Sequence, residues 1–234
     1  MTVKSTTPFS VKAVMIDLDG TMLDTIPDLA AAVNTMLKAL GQPSLDESLI
    51  RTFVGKGIHN LIERSLTGRM DGVPEKALFD RALPLYENAY TALNGRHTTM
   101  YSGVLEGLNE LRARGFPLVC VTNKSARFTL PLLEYVGLAS YFKAVVAGDT
   151  LAQRKPHPAP LLYACEQLGV EPSFMLMVGD SLNDAQAARA AGCPIFCVNY
   201  GYNEGQDVSQ LDVDAIVGSL VEVSARITRH DSVC

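Results

Sequence analysis

The chain has 234 residues, 47% of them apolar and 19% charged, with a formal net charge of −5. That length holds one large domain or one domain with an insert, and the apolar content builds a sizeable core, which excludes a disordered chain. The acidic balance and the lack of a Lys/Arg block argue against nucleic acid and anionic membranes as partners. No apolar run reaches the roughly 18 residues of a spanning helix.

Residues 1–10 carry one lysine and several Ser/Thr but no apolar h-region, so a loose tail is expected there and not a secretory signal. An apolar run at residues 13–16 follows. It is short, branched and continuous, as a strand buried on both faces requires. It delivers two carboxylates, Asp17 and Asp19, before a Gly20-Thr21 turn. Pro27 and Asp28 then start a helix over 27–40, whose apolar face is Leu29, Ala32, Val33, Met36, Leu37 and Leu40. Further helices are predicted over 44–54, 58–66 and 75–93, with Gly55-Lys56-Gly57 breaking the first of these from the second.

From Tyr101 the pattern alternates. Helices are predicted over 104–114, 125–136 (N-capped by Ser125), 158–168 and 182–191 (stopped by Gly192), and strands over 117–122, 144–147, 174–178, 195–198 and 215–217. Alternation of short apolar strands with helices implies an α/β fold with a doubly wound, Rossmann-like parallel sheet. The helical block becomes a cap inserted after the first strand. The expected division is a catalytic core of residues 11–23 and 98–234 and a cap of residues 24–97. An insert at that place sits over the carboxyl ends of the strands, where open α/β sheets bind ligands, and serves as a lid. The five cysteines, Cys120, Cys165, Cys193, Cys197 and Cys234, lie among apolar neighbours with no partners for a zinc set. They are expected to be reduced thiols of a cytoplasmic protein.

Polar residues recur where strands end: Asp17 and Asp19, then Thr122 and Asn123, then Asp180 with Asp184, while Lys155 lies in a loop before a helix. Taken singly, Asp180 reads as a helix N-cap and Asp184 as a first-turn acid favoured by the helix dipole. Taken together, four carboxylates share one cleft. A like pair at ~4 Å repels by about 4 kcal/mol at an effective dielectric near 20. Proton uptake or a bound cation relieves that. An all-oxygen set suits Mg²⁺ with an anionic phosphate as guest. Lys155 adds positive charge and Thr122 a neutral donor. In such a cleft Asp17 can attack phosphorus to give an aspartyl-phosphate. Asp19, two residues on, can protonate the leaving alkoxide and then activate water.

The motifs Asp17-Leu18-Asp19-Gly20-Thr21, Thr122-Asn123, Lys155-Pro156 and Gly179-Asp180-Ser181-Leu182-Asn183-Asp184 resemble, in order and spacing over residues 11–217, the four motifs of the haloacid dehalogenase-like (HAD) hydrolases. The resemblance implies Asp17 as nucleophile, Asp19 as acid and base, and Thr122 and Lys155 as phosphoryl ligands. It also implies Mg²⁺ on Asp17, Asp19 (through its carbonyl) and Asp180, supported by Asp184. Gly20, Thr21 and Asn123 are expected at the substrate. Asp19 argues against the dehalogenase and phosphonate-hydrolase branches, and Leu29 stands where β-phosphoglucomutases carry His. Pro27-Asp28-Leu29, Val54-Gly55-Lys56-Gly57 and Asn199-Tyr200-Gly201-Tyr202 look most like the phosphoglycolate phosphatase branch. Phosphatases of sugar phosphates, nucleotides or pyrophosphate, a β-phosphoglucomutase-like phosphotransferase, and a non-enzymatic phosphoacceptor are the alternatives. Asp19 and the large insert count against the last.

The expected partner is a small phosphorylated molecule, with the chain as monomer or homodimer. Lys56 is either a cap cation that reaches a substrate carboxylate or an exposed turn residue. His59, Asn60 and Arg64 read as a solvated helix face, and His97, His157 and His230 as structural.

Overall fold

The structure, a computed structural model, describes residues 8–230. The chain opens with β1 (Phe9–Val11), β2 (Ala13–Ile16) and β3 (Leu23–Asp24). Four helices follow: α1 (Ile26–Ala39), α2 (Glu47–Phe53), α3 (Ile58–Thr67) and α4 (Lys76–Leu93). Alternation then begins with β4 (Thr99–Met100), α5 (Val104–Ala113), β5 (Leu118–Val121), α6 (Ala126–Tyr135), β6 (Ala144–Val146) and α7 (Ala159–Leu168). It ends with β7 (Met175–Gly179), α8 (Leu182–Ala191), β8 (Ile195–Val198), β9 (Ala215–Val217), α9 (Leu220–Arg226) and β10 (Ile227–Arg229).

Six strands form one parallel sheet in the order β6-β5-β2-β7-β8-β9. The apolar run of β2 is continuous because both of its faces are covered. Val14 and Ile16 pack with α5 and α9, while Ala13 and Met15 pack with α7 and α8. Side chains alternate between faces, so a strand buried on both sides has no polar positions. The chain builds outward from β2 through β5 to β6, then crosses to the other side of β2 to form β7. The reversal opens a crevice at the carboxyl ends of β2 and β7, the place where such sheets bind ligands. Ladder bonding runs on past β2, with the Asp17 N–H donating to the Val178 carbonyl at 2.9 Å.

The four helices α1–α4 stand between β3 and β4, which pair antiparallel as a two-residue ribbon and carry the chain out of the sheet layer and back. Their apolar cluster, which includes Val33, Met36, Phe53 and Tyr86, takes in Phe128 and Tyr202 from the α/β layer. The insert is thus packed down on the crevice. Asp28 ties its two ends together. This carboxylate is fully buried and accepts from the backbone N–H groups of Gly95 (3.0 Å), His97 (2.9 Å) and Thr98 (3.0 Å). The Thr98 hydroxyl adds a bond at 2.8 Å, and the His97 ring Nδ1 lies at 2.9 Å.

Some local expectations need correction. Phe9 and Ser10 are not tail but belong to β1, which pairs with β10; residues 1–7, and Cys234, lie outside the described residues. β10 and α9 are too short to show a period, and the two-residue β3 and β4 carry no alternation. Ser125 stands at the N-cap of α6 but makes no side-chain cap bond. The Asp149 carboxylate caps the helix instead, accepting from Ala126 N–H at 2.7 Å. The four described cysteines are buried and free. Among the described residues no helix is long and apolar enough to cross a membrane.

Asp28→Ala removes the acceptor of this hinge and leaves several N–H groups unpaired. Hydrogen bonds to a charged group contribute ~1.5–3 kcal/mol each and are not additive, so we expect a loss of about 3 kcal/mol or more in urea unfolding, against under ~1 kcal/mol for a solvent-exposed aspartate such as Asp71.

Candidate active site

Asp17 follows β2 and lines a cleft between the sheet and the helical insert. Its Oδ1 accepts from the Leu18 N–H at 2.7 Å and lies 3.1 Å from the Lys155 ammonium. Lys155 is buried, and its Nζ also donates to the Val121 carbonyl (2.8 Å) and to Asp184 Oδ1 (2.6 Å). Burial alone would lower the Lys155 ammonium, but Asp17 and Asp184 outweigh it and hold it above its usual range. The cation therefore stays charged inside the fold. Thr122, at the end of β5, lines the same cleft, with its Oγ1 accepting the Lys124 N–H at 3.2 Å.

Asp180 follows β7, and its surroundings exist to aim it. Thr21 Oγ1 donates to its Oδ1 at 3.0 Å, and the Tyr202 N–H donates to its Oδ2 at 2.7 Å. Gly20, at φ +85°, passes so close that a Cβ there would lie 2.4 Å from Asp180 Oδ2, which only a glycine in this turn allows. Gly20 and Thr21 therefore touch Asp180 and are absent from the cleft lining, in place of the expected substrate contact. The N-cap of α8 is Ser181, not Asp180. Asp184, at the third helical position, accepts from the Ser181 N–H (3.1 Å) and Oγ (2.7 Å) through Oδ2, leaving Oδ1 to Lys155.

Asp19 also lines the cleft, but its partners differ from those of Asp17. Thr25 Oγ1 donates to it at 2.8 Å, and the Lys124 ammonium reaches both oxygens at 3.1 and 3.2 Å. Lys124 is buried and donates further to Tyr90 Oη at 2.5 Å, which links the core to α4 of the insert. Lys124 was not among the residues singled out from the sequence, although a lysine directly after Thr122-Asn123, at a strand end, was a visible signal. Tyr86 and Tyr90 line the cleft too; at i, i+4 on a cap helix they read as core stripe.

The insert is pinned over the site by its Gly55-Lys56-Gly57 turn. The Asn123 amide donates to the carbonyls of Gly55 (2.9 Å) and Lys155 (2.9 Å) and so holds the two loops together. Gly55 and Gly57 line the cleft, whereas Lys56 does not. Its side chain is 42% exposed, and its ammonium lies 3.6 Å from Glu204, which is bound more closely by the buried Arg64 at 2.8 Å. Of the two readings of Lys56, substrate cation and exposed turn residue, this geometry is that of the second, and the expected contact with the substrate is corrected: the ammonium lies toward Glu204. Arg64 is likewise a buried pairing residue and not part of a solvated face.

Asp17, Asp180 and Asp184 each offer an oxygen within 4.8 Å of the others, and all are buried. Burial pushes the Asp17 carboxyl up to about 7, with Lys155 opposing and Asp184 reinforcing. Burial likewise pushes Asp180 up to about 8, and Asp184 and Asp17 add to it. One ammonium thus faces three carboxylates. A hard divalent cation fits this oxygen set, and Asp17 and Asp180 would hold it, because Asp184 is already committed to Lys155 and Ser181.

The haloacid dehalogenase-like hydrolase family matches residues 14–198. A phosphoglycolate phosphatase of Nitrosospira multiformis is 58% identical over 222 residues, 95% of this chain and 98% of the relative. One of Thiobacillus denitrificans is 50% identical over the same shares of the two chains. A crystal structure of a predicted phosphoglycolate phosphatase from Haemophilus somnus superposes with a TM-score of 0.86 at 32% identity, covering 91% of this chain and 96% of that one. The chain belongs to the haloacid dehalogenase-like hydrolase family.

An aspartate titrates near 3.9 in the unfolded chain, so the raised values of Asp17 and Asp180 stabilise the fold at low pH. That stability is lost as pH rises from about 4 to about 8, because the unfolded state gives up its protons first. Protein treated with a chelator should melt at a lower temperature at pH 8 than at pH 5.5, and Mg²⁺ should restore more of the melting temperature at pH 8. Thermal melts at both pH values, with and without the ion, check this.

Proposed function

We propose that this chain, a phosphatase by its family and relatives, hydrolyses 2-phosphoglycolate to glycolate and phosphate through an aspartyl-phosphate on Asp17. The observation that carries the chemistry is the Asp17–Lys155 pair at 3.1 Å on the floor of a capped cleft, with Thr122 beside it. A carboxylate held next to a permanently charged ammonium can meet a phosphoryl dianion that it would otherwise repel. The substrate rests on relatives up to 58% identical over nearly the whole chain. The cleft under the insert brings Asp17, Thr122 and Lys155 of the core opposite Leu29, Ile58 and Leu61 of the insert.

In the first step an Asp17 oxygen bonds to phosphorus while the ester P–O bond breaks. Asp19 gives its proton to the departing alkoxide. In the second step Asp19 takes a proton from a water molecule, whose oxygen bonds to phosphorus and releases Asp17 and inorganic phosphate. The Lys155 charge offsets that of the phosphoryl oxygens, and Thr122 lies beside them. When bound to Asp17 and Asp180, Mg²⁺ supplies further positive charge to those oxygens. Thr21, Gly20 and Tyr202 aim Asp180, Asp184 fixes Lys155, and the closed insert excludes bulk water.

Asp17→Asn should lower kcat for 2-phosphoglycolate by ~10³-fold or more with an unchanged circular dichroism spectrum. Steady-state phosphate release across 2-phosphoglycolate, hexose phosphates, nucleoside monophosphates and pyrophosphate tests the substrate. We expect the highest kcat/KM for 2-phosphoglycolate; a higher value for any other member would replace it.

A further inference from the structure

Three buried side-chain polar atoms have no hydrogen-bond partner among the described residues: Tyr86 Oη, Asn94 Oδ1 and Tyr101 Oη. Of these residues Tyr86 alone lines the cleft. A buried hydroxyl without a partner costs about 1–3 kcal/mol, so the fold keeps Tyr86 polar at a price in stability that a phenylalanine would avoid. Tyr86 is 0% exposed and stacks on Tyr90, one turn along α4, with ring centroids 5.7 Å apart. The two phenols are placed alike but partnered differently. Tyr90 Oη accepts from the Lys124 ammonium at 2.5 Å, which leaves its own proton to donate. Tyr86 Oη has both its proton and its lone pairs free. Burial raises both phenols well above their usual range, so both remain protonated donors.

The other side chains on the cap side of the cleft are apolar, Leu29, Val54, Ile58 and Leu61, beside the backbone of Gly55 and Gly57. Two O–H donors are therefore the polar side chains of this wall, and Lys124, paired with Asp19, stands behind one of them. A carboxylate, with two acceptor oxygens, accepts from two such donors at once. A sugar would need matched donors and acceptors for several hydroxyls, which this wall does not offer. We propose that Tyr86 and Tyr90 form the subsite that binds the carboxylate of the substrate, so that the cap selects phosphate esters of small hydroxy acids over neutral alkyl phosphates. The proposal rests on the phosphatase reading above, and assigns to two tyrosines the selectivity that Lys56, turned to Glu204, is not placed to supply.

The test compares 2-phosphoglycolate with ethyl phosphate, which has the same two-carbon chain with a methyl in place of the carboxylate, in wild type and Tyr86→Phe, with thermal melts of both proteins. The wild type should prefer 2-phosphoglycolate. In Tyr86→Phe the ratio of the two kcat/KM values should fall about 10-fold or more, as for loss of a hydrogen bond to a charged group, chiefly through KM for 2-phosphoglycolate. The melting temperature should hold or rise, since an unpartnered hydroxyl has been removed. An unchanged ratio overturns the proposal. So does a lower melting temperature, which would show that the hydroxyl has a structural partner. A wild type that hydrolyses ethyl phosphate but does not prefer 2-phosphoglycolate overturns both the subsite and the substrate assignment. A wild type that hydrolyses neither overturns the phosphatase reading itself, so the three failures are distinct.

Discussion

Lys155 is the buried cation around which the carboxyl ends of β2 and β7 are arranged. Its ammonium touches the Val121 carbonyl, Asp17 and Asp184 at once. A charge of this kind can be kept inside a protein only when it is paired and hydrogen-bonded on all sides. Here the pairing also solves the reverse problem, because Asp17 and Asp184 could not stand together without it. Removing Lys155 would drive the carboxylates further toward taking up protons.

The carboxylates divide into three kinds by what touches them. Asp184 is consumed by the fold, holding Lys155 on one oxygen and Ser181 on the other. Asp180 is aimed by Thr21 and Tyr202 and packed against Gly20. Asp17 and Asp19 are held through polar contacts but still border the cleft, each beside its own lysine. The second lysine, Lys124, continues through Tyr90 into the insert, so Asp19 and the cap are parts of one hydrogen-bonded chain. The insert, tied to the core through Asn123 and Gly55, therefore contributes to the candidate site as well as covering it.

Much of this was legible in the sequence. The parallel sheet and the helical insert follow from alternation of apolar runs and from a helical block placed after the first strand. The residues at the strand ends stood out because buried strands seldom terminate in clustered charge. What could not be read is what depends on tertiary direction. Thr21 and Lys56 are plausible substrate ligands by residue type, yet one turns to Asp180 and the other to Glu204. Tyr86 and Tyr90 occupy apolar helix positions, and nothing in a helical period tells a core phenol from one that faces a cleft. The cap of α6 comes from Asp149, far along the chain, and so is invisible to a local capping rule.

The central claim is that Asp17 becomes phosphorylated during turnover. Acid quenching of the enzyme in the act of hydrolysing 2-phosphoglycolate, reduction with borohydride and peptide mass spectrometry tests it directly, because an aspartyl-phosphate is reduced to homoserine while a free carboxylate is not. The account predicts homoserine at position 17, present with substrate and absent without it. Turnover with no homoserine there, or with homoserine at Asp19 or Asp180 instead, would contradict it.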